Sequence, residues 1–177
     1  MKIFYRFVDR IVFAVGVLIF LQLPNFIDQY TQRLGGYYDS EKEHLELYQG
    51  IADKYYQGDL NKLIDSFKSS NQPGMKETAQ ELDKISDKVD ELEQGVEILQ
   101  NGTFLRQIGY MIVHVDMKLA RGTLKSYTPG MPFTSEGLLS GLIGGVLVSL
   151  LFNGIVALIR WPFRKMQIQT EPPKATS

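Results

Sequence analysis

The hydrophobic residues of this chain are concentrated in two blocks, one near each end. Residues 11–27 contain no charged side chain over 17 positions, and residues 137–159 contain none over 23. A helix that crosses a membrane needs about 20 consecutive apolar residues. The pattern therefore predicts two transmembrane helices, at 11–27 and 137–159, joined by a polar segment at 28–136.

The first block is short for a bilayer. Its 17 residues, at about 1.5 Å each, span about 25 Å, less than a hydrocarbon core of about 30 Å. We expect Arg6 and Arg10 to extend their charged ends towards the interface, which lengthens the helix at its N-terminal end. At the other end, Pro24 is expected to kink the helix.

Further signals of helix ends follow the first block. Gly35 and Gly36 predict that the first helix stops there, and Ser40 with Glu43 has the capping-box spacing of a new helix start. Gly58, between Gln57 and Asp59, predicts the next break. The segment after the first block is therefore expected to consist of several helices.

One apolar stripe in the polar segment repeats at alternating spacings of three and four residues. Its members include Leu82, Ile85, Val89, Leu92, Val96 and Leu99. This spacing is typical of a helix buried along one side, here at about 75–100. We favour a hairpin within the chain, in which 101–102 turns and a stripe from Phe104 to Leu119 packs back. A coiled coil between chains is the alternative.

The distribution of charge favours one orientation in the membrane. Residues 1–10 contain three basic and one acidic side chain, residues 160–177 four and one, and residues 28–136 twelve and eighteen. Because basic residues concentrate on the cytoplasmic side, both tails are predicted to be cytoplasmic and 28–136 exported. A cleaved signal peptide is the alternative for the first block. The bulky residues after Leu23 lack a cleavage site, so we expect an uncleaved anchor.

Small residues recur every four positions in the second block. The row consists of Gly137, Gly141, Gly145 and Ser149. Rows of this kind let two helices approach closely in a membrane. The partner is either the first helix of the same chain, through Ala14 and Gly16, or a second protomer. Asn153 in the same helix is expected to hydrogen-bond to a neighbouring helix.

Candidate chemistry is sparse. The chain has no cysteine, and neither His44 nor His114 has a partner at metal-ligand spacing. No catalytic motif stands out, and no carboxylate lies within 11–27 or 137–159, so we expect no catalytic residue, cofactor, metal or nucleic-acid partner. One charged set near the membrane edge is a candidate for ion pairing, although surface charges often pair without function. It consists of Asp28, Gln29, Arg33, Asp116 and Arg121.

Four segments carry a resemblance to a known family. They are 23–30 (LPNFIDQY), 32–36 (QRLGG), 120–124 (ARGTL) and 129–137 (PGMPFTSEG). In these segments the chain resembles a bacterial two-span inner-membrane family that is catalogued only as a domain of unknown function. The resemblance implies a Gram-negative inner membrane with the middle segment in the periplasm. It implies no activity and no catalytic residues.

Together these patterns predict an all-α membrane protein in which two transmembrane helices flank an exported helical hairpin or bundle. The function they favour is a non-enzymatic assembly protein in contact with the lipid bilayer. It would be a homo-oligomer or an accessory subunit of a membrane complex. Two other classes stay open: a periplasmic ligand-binding or sensory module that acts through a partner, and a small oligomeric channel.

Overall fold

The computed structural model describes residues 2–130 and 134–168, and in these ranges it contains seven α-helices and no strand. They are α1 Lys2–Leu21, α2 Leu23–Tyr55, α3 Leu60–Lys68, α4 Pro73–Asn101, α5 Phe104–His114, α6 Met117–Lys125 and α7 Ser135–Ile168. The predicted all-α class is confirmed. The chain divides into a first unit, Met1–Asn25 with Pro129–Ser177, and a second unit, Phe26–Thr128.

The first unit consists of α1 packed against α7. Within the described residues, two helices are long and apolar enough to cross a membrane, one beginning at Phe4 and one at Ser135–Ile159. The two helices are antiparallel, because Phe20 contacts Ser140 at one end and Tyr5 contacts Asn153 at the other. α1 begins nine residues before the predicted start at 11, in the direction expected from Arg6 and Arg10. The predicted C-terminal tail from residue 169 onwards lies outside the described residues.

The second unit is built around α2 and α4, which also run antiparallel. At one end the Tyr38 hydroxyl donates a hydrogen bond to Glu93 at 3.1 Å. Farther along α2, Leu45 and Tyr48 pack on a buried cluster made by Ile64 of α3 with Ala79 and Leu82 of α4. The core therefore lies where α2, α3 and α4 meet.

The predicted stripe of α4 is buried within the same chain. Its buried members are Leu82, Ile85, Val89, Leu92 and Leu99. Val96 is only half-buried, because the neighbouring Gly95 faces inwards, where Leu34 and the Tyr110 hydroxyl close over it. The stripe thus finds its contacts without a second chain.

The segment after α4 folds back onto that stripe as predicted, but it forms two short helices instead of one. The turn after Asn101 is confirmed, and Gln107 of α5 donates a hydrogen bond back to the Leu99 carbonyl at 2.8 Å. However, α5 ends at His114 and α6 begins at Met117, so the predicted stripe from Phe104 to Leu119 is divided between two helices, and its members are half-buried. α2 also packs on α4, since Leu45 and Tyr48 contact the cluster that contains Leu82.

The predicted helix end at Gly35 and Gly36, and the new start at Ser40, are wrong. α2 continues unbroken through all three residues to Tyr55. Glycine inside a helix costs about 1 kcal/mol relative to alanine, and burial of α2 on both sides of the glycines, at Leu34 and at Ala52, offsets this cost. The predicted break after Tyr55 is confirmed, since Gln57 and Gly58 have φ values of 61° and 81°.

Replacing Gly36 with alanine is expected to stabilise the second unit by up to about 1 kcal/mol, because Gly36 is helical and has nothing within 4 Å of an added Cβ atom. Urea unfolding of the full chain in detergent, followed by circular dichroism, measures the change. Gly58→Ala is the matched control and is expected to destabilise, because its positive φ disfavours alanine. Destabilisation by Gly36→Ala would instead indicate a helix end at this position.

Candidate functional site: a polar cluster between the two apolar helices

The small residues of α7 pack against α1 of the same chain. A Cβ atom on Gly141 would lie 3.2 Å from the Val17 carbonyl oxygen, and one on Gly145 would lie 2.5 Å from a Val17 methyl carbon. From the other side, a Cβ atom on Gly16 would lie 3.1 Å from the Cα atom of Gly145. Gly137, at the start of the row, is buried. Of the two expected partners, the structure contains the first helix of the chain itself, which covers the row.

A serine beside this row compensates for Pro24. Because proline has no N–H, the carbonyl of Phe20, four residues earlier, lacks its usual helical donor. The buried Ser140 hydroxyl lies 2.9 Å from this oxygen and also 2.9 Å from the Gly137 carbonyl. In an apolar environment a neighbouring helix must supply such a donor. Ser140 therefore ties α7 to the end of α1.

Four polar side chains form a cluster nearer the other end of the helix pair, namely Tyr5, Asp9, Ser149 and Asn153. Asp9 Oδ1 accepts hydrogen bonds from the Ser149 hydroxyl and the Asn153 amide, both at 2.7 Å. The Asn153 amide oxygen accepts a hydrogen bond from the Tyr5 hydroxyl. All of these contacts are partly buried. The polar side chains of α1 and α7 thus provide hydrogen-bond partners for one another.

Asp9 is the member of this cluster that the sequence reasoning missed. It precedes residue 11 and was therefore assigned to the N-terminal tail, yet it pairs with Ser149, near the middle of the predicted crossing at 137–159. The expectation that neither crossing contains a carboxylate depended on the boundary at 11. A signal was available: Tyr5 and Asp9 are four residues apart on α1, as are Ser149 and Asn153 on α7, so each pair lies on one helix face.

The cluster fixes how α1 and α7 fit together. If either helix slid or rotated, Asp9 and Asn153 would lose partners that an apolar environment cannot replace. An ionisable group in a membrane-crossing helix pair also commonly marks a functional contact. In residues 2–130 and 134–168, no three His, Asp or Glu side chains are placed to hold a metal ion. The arrangement is that of a polar joint between helices.

The predicted membrane-edge set does not form the expected ion pairs. Within the described ranges the ion pairs involve other residues, all of them in α3, α4 or the cap of α3. Asp28 and Arg121 are exposed. Burial of its carboxyl group raises the pKa of Asp28 above the ordinary value, although the residue as a whole is exposed.

Hydrogen bonds from α2 to the end of the second unit take the place of those ion pairs. Gln29 donates to the Thr128 carbonyl at 2.8 Å and accepts from the Thr128 N–H at 3.2 Å. Arg33 donates to the Ser126 hydroxyl at 2.8 Å. In the first unit, Gln22 makes the same pair of bonds to Gly130, at 2.8 and 3.2 Å. In each unit, a glutamine side chain thus holds the backbone of a distant segment of that unit by a pair of hydrogen bonds.

Tyr30 connects α2 to α6 within the second unit. It is 1% exposed, and its hydroxyl accepts a hydrogen bond from the Asp116 N–H at 3.0 Å. Burial raises the pKa of the Tyr30 hydroxyl. The Asp116 carboxylate accepts from the backbone N–H groups of Lys118 and Leu119 and so caps α6. Asp116 therefore acts as a helix cap and not as a member of an ion pair.

Comparison with known proteins gives one finding. Searches of curated proteins and of solved structures each returned no match. One family model, described as "Protein of unknown function (DUF2937)", matches residues 4–165. The match spans α1 to α7 and includes the Gln29, Arg33 and Gly122 segments that carried the resemblance. The predicted membership of a family catalogued only as a domain of unknown function is confirmed, and the chain belongs to the DUF2937 family of proteins of unknown function.

Proposed function

We propose that this protein is a non-enzymatic assembly protein of a bacterial inner membrane, an accessory subunit that presents its middle helices to another protein. In this proposal α1 and α7 cross the membrane as a pair, both termini are cytoplasmic, and the second unit is periplasmic. The two long apolar helices and the basic residues in both tails support this orientation.

The observation that carries the proposal is an uncovered apolar row on α2. The row consists of Leu47, Ile51 and Tyr55, each four residues from the next, and Leu47 and Tyr55 are 66% and 77% exposed. The opposite side of the helix is occupied, since Ala52 is buried and Tyr48 packs on the core. Apolar rows at this spacing are typical of helices that dock into a groove of a partner. Exposed tyrosine is also typical of the centres of interfaces.

The charges beside this row favour a different protein over a second copy. Three acidic side chains, Glu43, Glu46 and Asp53, and one basic side chain, Lys54, are exposed near the row. Residues 28–97 as a whole contain sixteen acidic and eight basic side chains. Two copies meeting along this face would bring like charges together, which opposes association. The partner we propose therefore has an apolar groove bordered by lysine or arginine.

Site-specific photocrosslinking in cells tests this proposal. A photoreactive side chain at Ile51 is expected to link the protein to one other membrane protein, whereas the same group at the exposed Lys84 of α4 is not. The crosslinked peptide, identified by mass spectrometry, should be apolar with basic neighbours. The complex reconstituted from the two purified proteins should dissociate with Ile51→Asp, while the circular dichroism spectrum of the variant stays unchanged.

Two results would overturn the proposal. Crosslinking only to a second copy of the chain would indicate a homo-oligomer. A monodisperse monomer that crosslinks to nothing from Ile51 would leave the row without a partner. Both results are compared with crosslinking from the photoreactive group at position 84, which measures nonspecific collisions.

One observation favours a ligand-sensing role instead. A groove between α2 and α4 has Leu45 and Val89 in its lining, with Tyr38, Lys42 and Glu93 beside them. Hydrogen bonds from Tyr38 to Glu93 and from Lys42 to Tyr38 already occupy its polar groups. A ligand would therefore have to displace these contacts. Ligand-dependent thermal stabilisation of the second unit, lost in Tyr38→Phe, would favour this role over assembly.

A further inference from the structure

We propose that α5 and α6 bind the surface of an anionic lipid membrane. Their exposed side, here called the α5–α6 face, would insert apolar side chains at the boundary between headgroups and acyl chains and place basic side chains against lipid phosphates. The face consists of Leu105, Arg106, Ile112, Val113, Met117, Lys118, Arg121, Leu124 and Lys125. This inference is independent of the partner proposed for α2.

The α5 part of the face is apolar and uncovered. Leu105 and Ile112 are 80% and 76% exposed, and Val113 is exposed beside them. Leu105 and Ile112 are seven residues apart and so lie on one side of the helix, with Gly109 between them and nothing within 4 Å of its Cβ position. The other side of α5 faces α4 through Gln107. α5 is therefore apolar on both sides, with Phe104, Ile108 and Met111 half-buried and Leu105, Ile112 and Val113 exposed.

The α6 part continues the same character. Met117 and Leu124 are exposed and again seven residues apart, while Ala120 and Thr123 on the other side are buried. Apolar side chains are thus presented outwards by both short helices. Large apolar side chains exposed together in this way are a typical sign of a binding site.

The charges of this segment identify what it binds. Residues 98–135 contain four basic side chains and one acidic side chain, in a chain whose residues 28–97 have twice as many acidic as basic ones. The single acid, Asp116, is engaged in capping α6. The basic four, Arg106, Lys118, Arg121 and Lys125, are exposed, and none belongs to an ion pair found in the described ranges. Exposed apolar and basic side chains together are the pattern of helices that lie on anionic membranes.

Connection to the apolar helices makes weak lipid affinity sufficient. Nine residues separate Lys125 at the end of α6 from Ser135 at the start of α7, so this segment spans about 30 Å at most. Helices as short as α5 and α6 would bind a membrane poorly on their own. A short tether to a membrane-inserted helix raises the effective concentration of the surface to about the millimolar range, which compensates for low intrinsic affinity.

Fluorescence of single labelled cysteines tests the proposal, and the absence of native cysteine makes each label unique. The full chain carries an environment-sensitive dye at Ile112→Cys or at Leu124→Cys and is reconstituted in vesicles of phosphatidylcholine, with or without phosphatidylglycerol. We expect both dyes to be quenched by lipids with quenchers near the headgroups, and more strongly with phosphatidylglycerol. Each of Lys118→Gln and Lys125→Gln should lower about five-fold the equilibrium ratio of molecules whose α5–α6 face is bound to the membrane to molecules whose face is in water.

A dye at Leu47→Cys is the control, since Leu47 is an equally apolar exposed residue in the acidic part of the same unit. Its dye should stay in water in both vesicle types. Dyes at 112 and 124 that are no more quenched than the dye at 47 would overturn the proposal. The proposal would also be overturned if the dye fluorescence changed with the density of protein in the vesicles and was not quenched by the lipid quenchers. That result would indicate a second copy of the chain on this face.

Discussion

Leucine at position 144 is expected to separate α1 from α7. A Cβ atom on Gly144 would already overlap the ring of Phe20, and leucine adds three further carbon atoms. Overpacking of a close contact costs about 1–3 kcal/mol, and Gly144 lies next to Gly145, where the Cβ position meets the Phe13 carbonyl oxygen of α1 at 3.1 Å. A cysteine pair, Gly16→Cys with Val148→Cys, measures the separation. The Cβ position of Gly16 lies 3.0 Å from Val148 Cβ, so a shift of about half an ångström apart brings the pair to the separation of about 3.5–4.5 Å found in disulfides.

Because the chain has no native cysteine, an intramolecular disulfide reports only on this helix pair. We expect the rate of disulfide formation to fall about tenfold or more with Gly144→Leu. Gly154→Leu is the matched control, since it makes the same change in the same helix at a position with nothing within 4 Å. Equal rates of disulfide formation in the cysteine pair alone, with Gly144→Leu and with Gly154→Leu would show that α1 and α7 do not pack along the glycine row.

The parts of this fold that the sequence predicts correctly depend on local signals. Long charge-free blocks mark the two apolar helices, alternating three and four spacing marks the buried side of α4, and Gly58 marks the break before α3. Each signal acts within about one helix turn or along one helix. The errors arise where packing between distant segments outweighs a local preference. At Gly35 and Gly36 the preference is worth about 1 kcal/mol each, and α2 is buried on both sides of them, at Leu34 and at Ala52.

The candidate site was harder to predict for a similar reason. The glycine row shows that something approaches α7 closely, but a row of small residues is equally suited to a helix of the same chain or of another. Asp9 was assigned to the N-terminal tail by its own charge, because the boundary of the first block was drawn where charges end. Only the alignment of α1 with α7 brings Asp9 to Ser149. A hydrogen bond between residues 140 positions apart has no local sequence signal.

Alanine at Leu82 is expected to lower the free energy of unfolding of the second unit by about 3 kcal/mol. Leu82 is 1% exposed and belongs to the cluster where α2, α3 and α4 meet. Truncating a leucine in such a place loses its burial and leaves a cavity, which together cost about 2–5 kcal/mol. Urea unfolding of the full chain in detergent, followed by circular dichroism of the helices, measures the loss.

Val89 and Val96 provide the control for this experiment, because both belong to the predicted stripe and both lose the same two methyl groups on change to alanine. Val89 is buried, whereas Val96 is half-buried beside Gly95. Val89→Ala should therefore cost about 2 kcal/mol and Val96→Ala less than half of that. In a coiled coil between chains, the two positions would be equivalent and stability would rise with protein concentration. Equal costs together with that concentration dependence would contradict burial of the stripe within one chain.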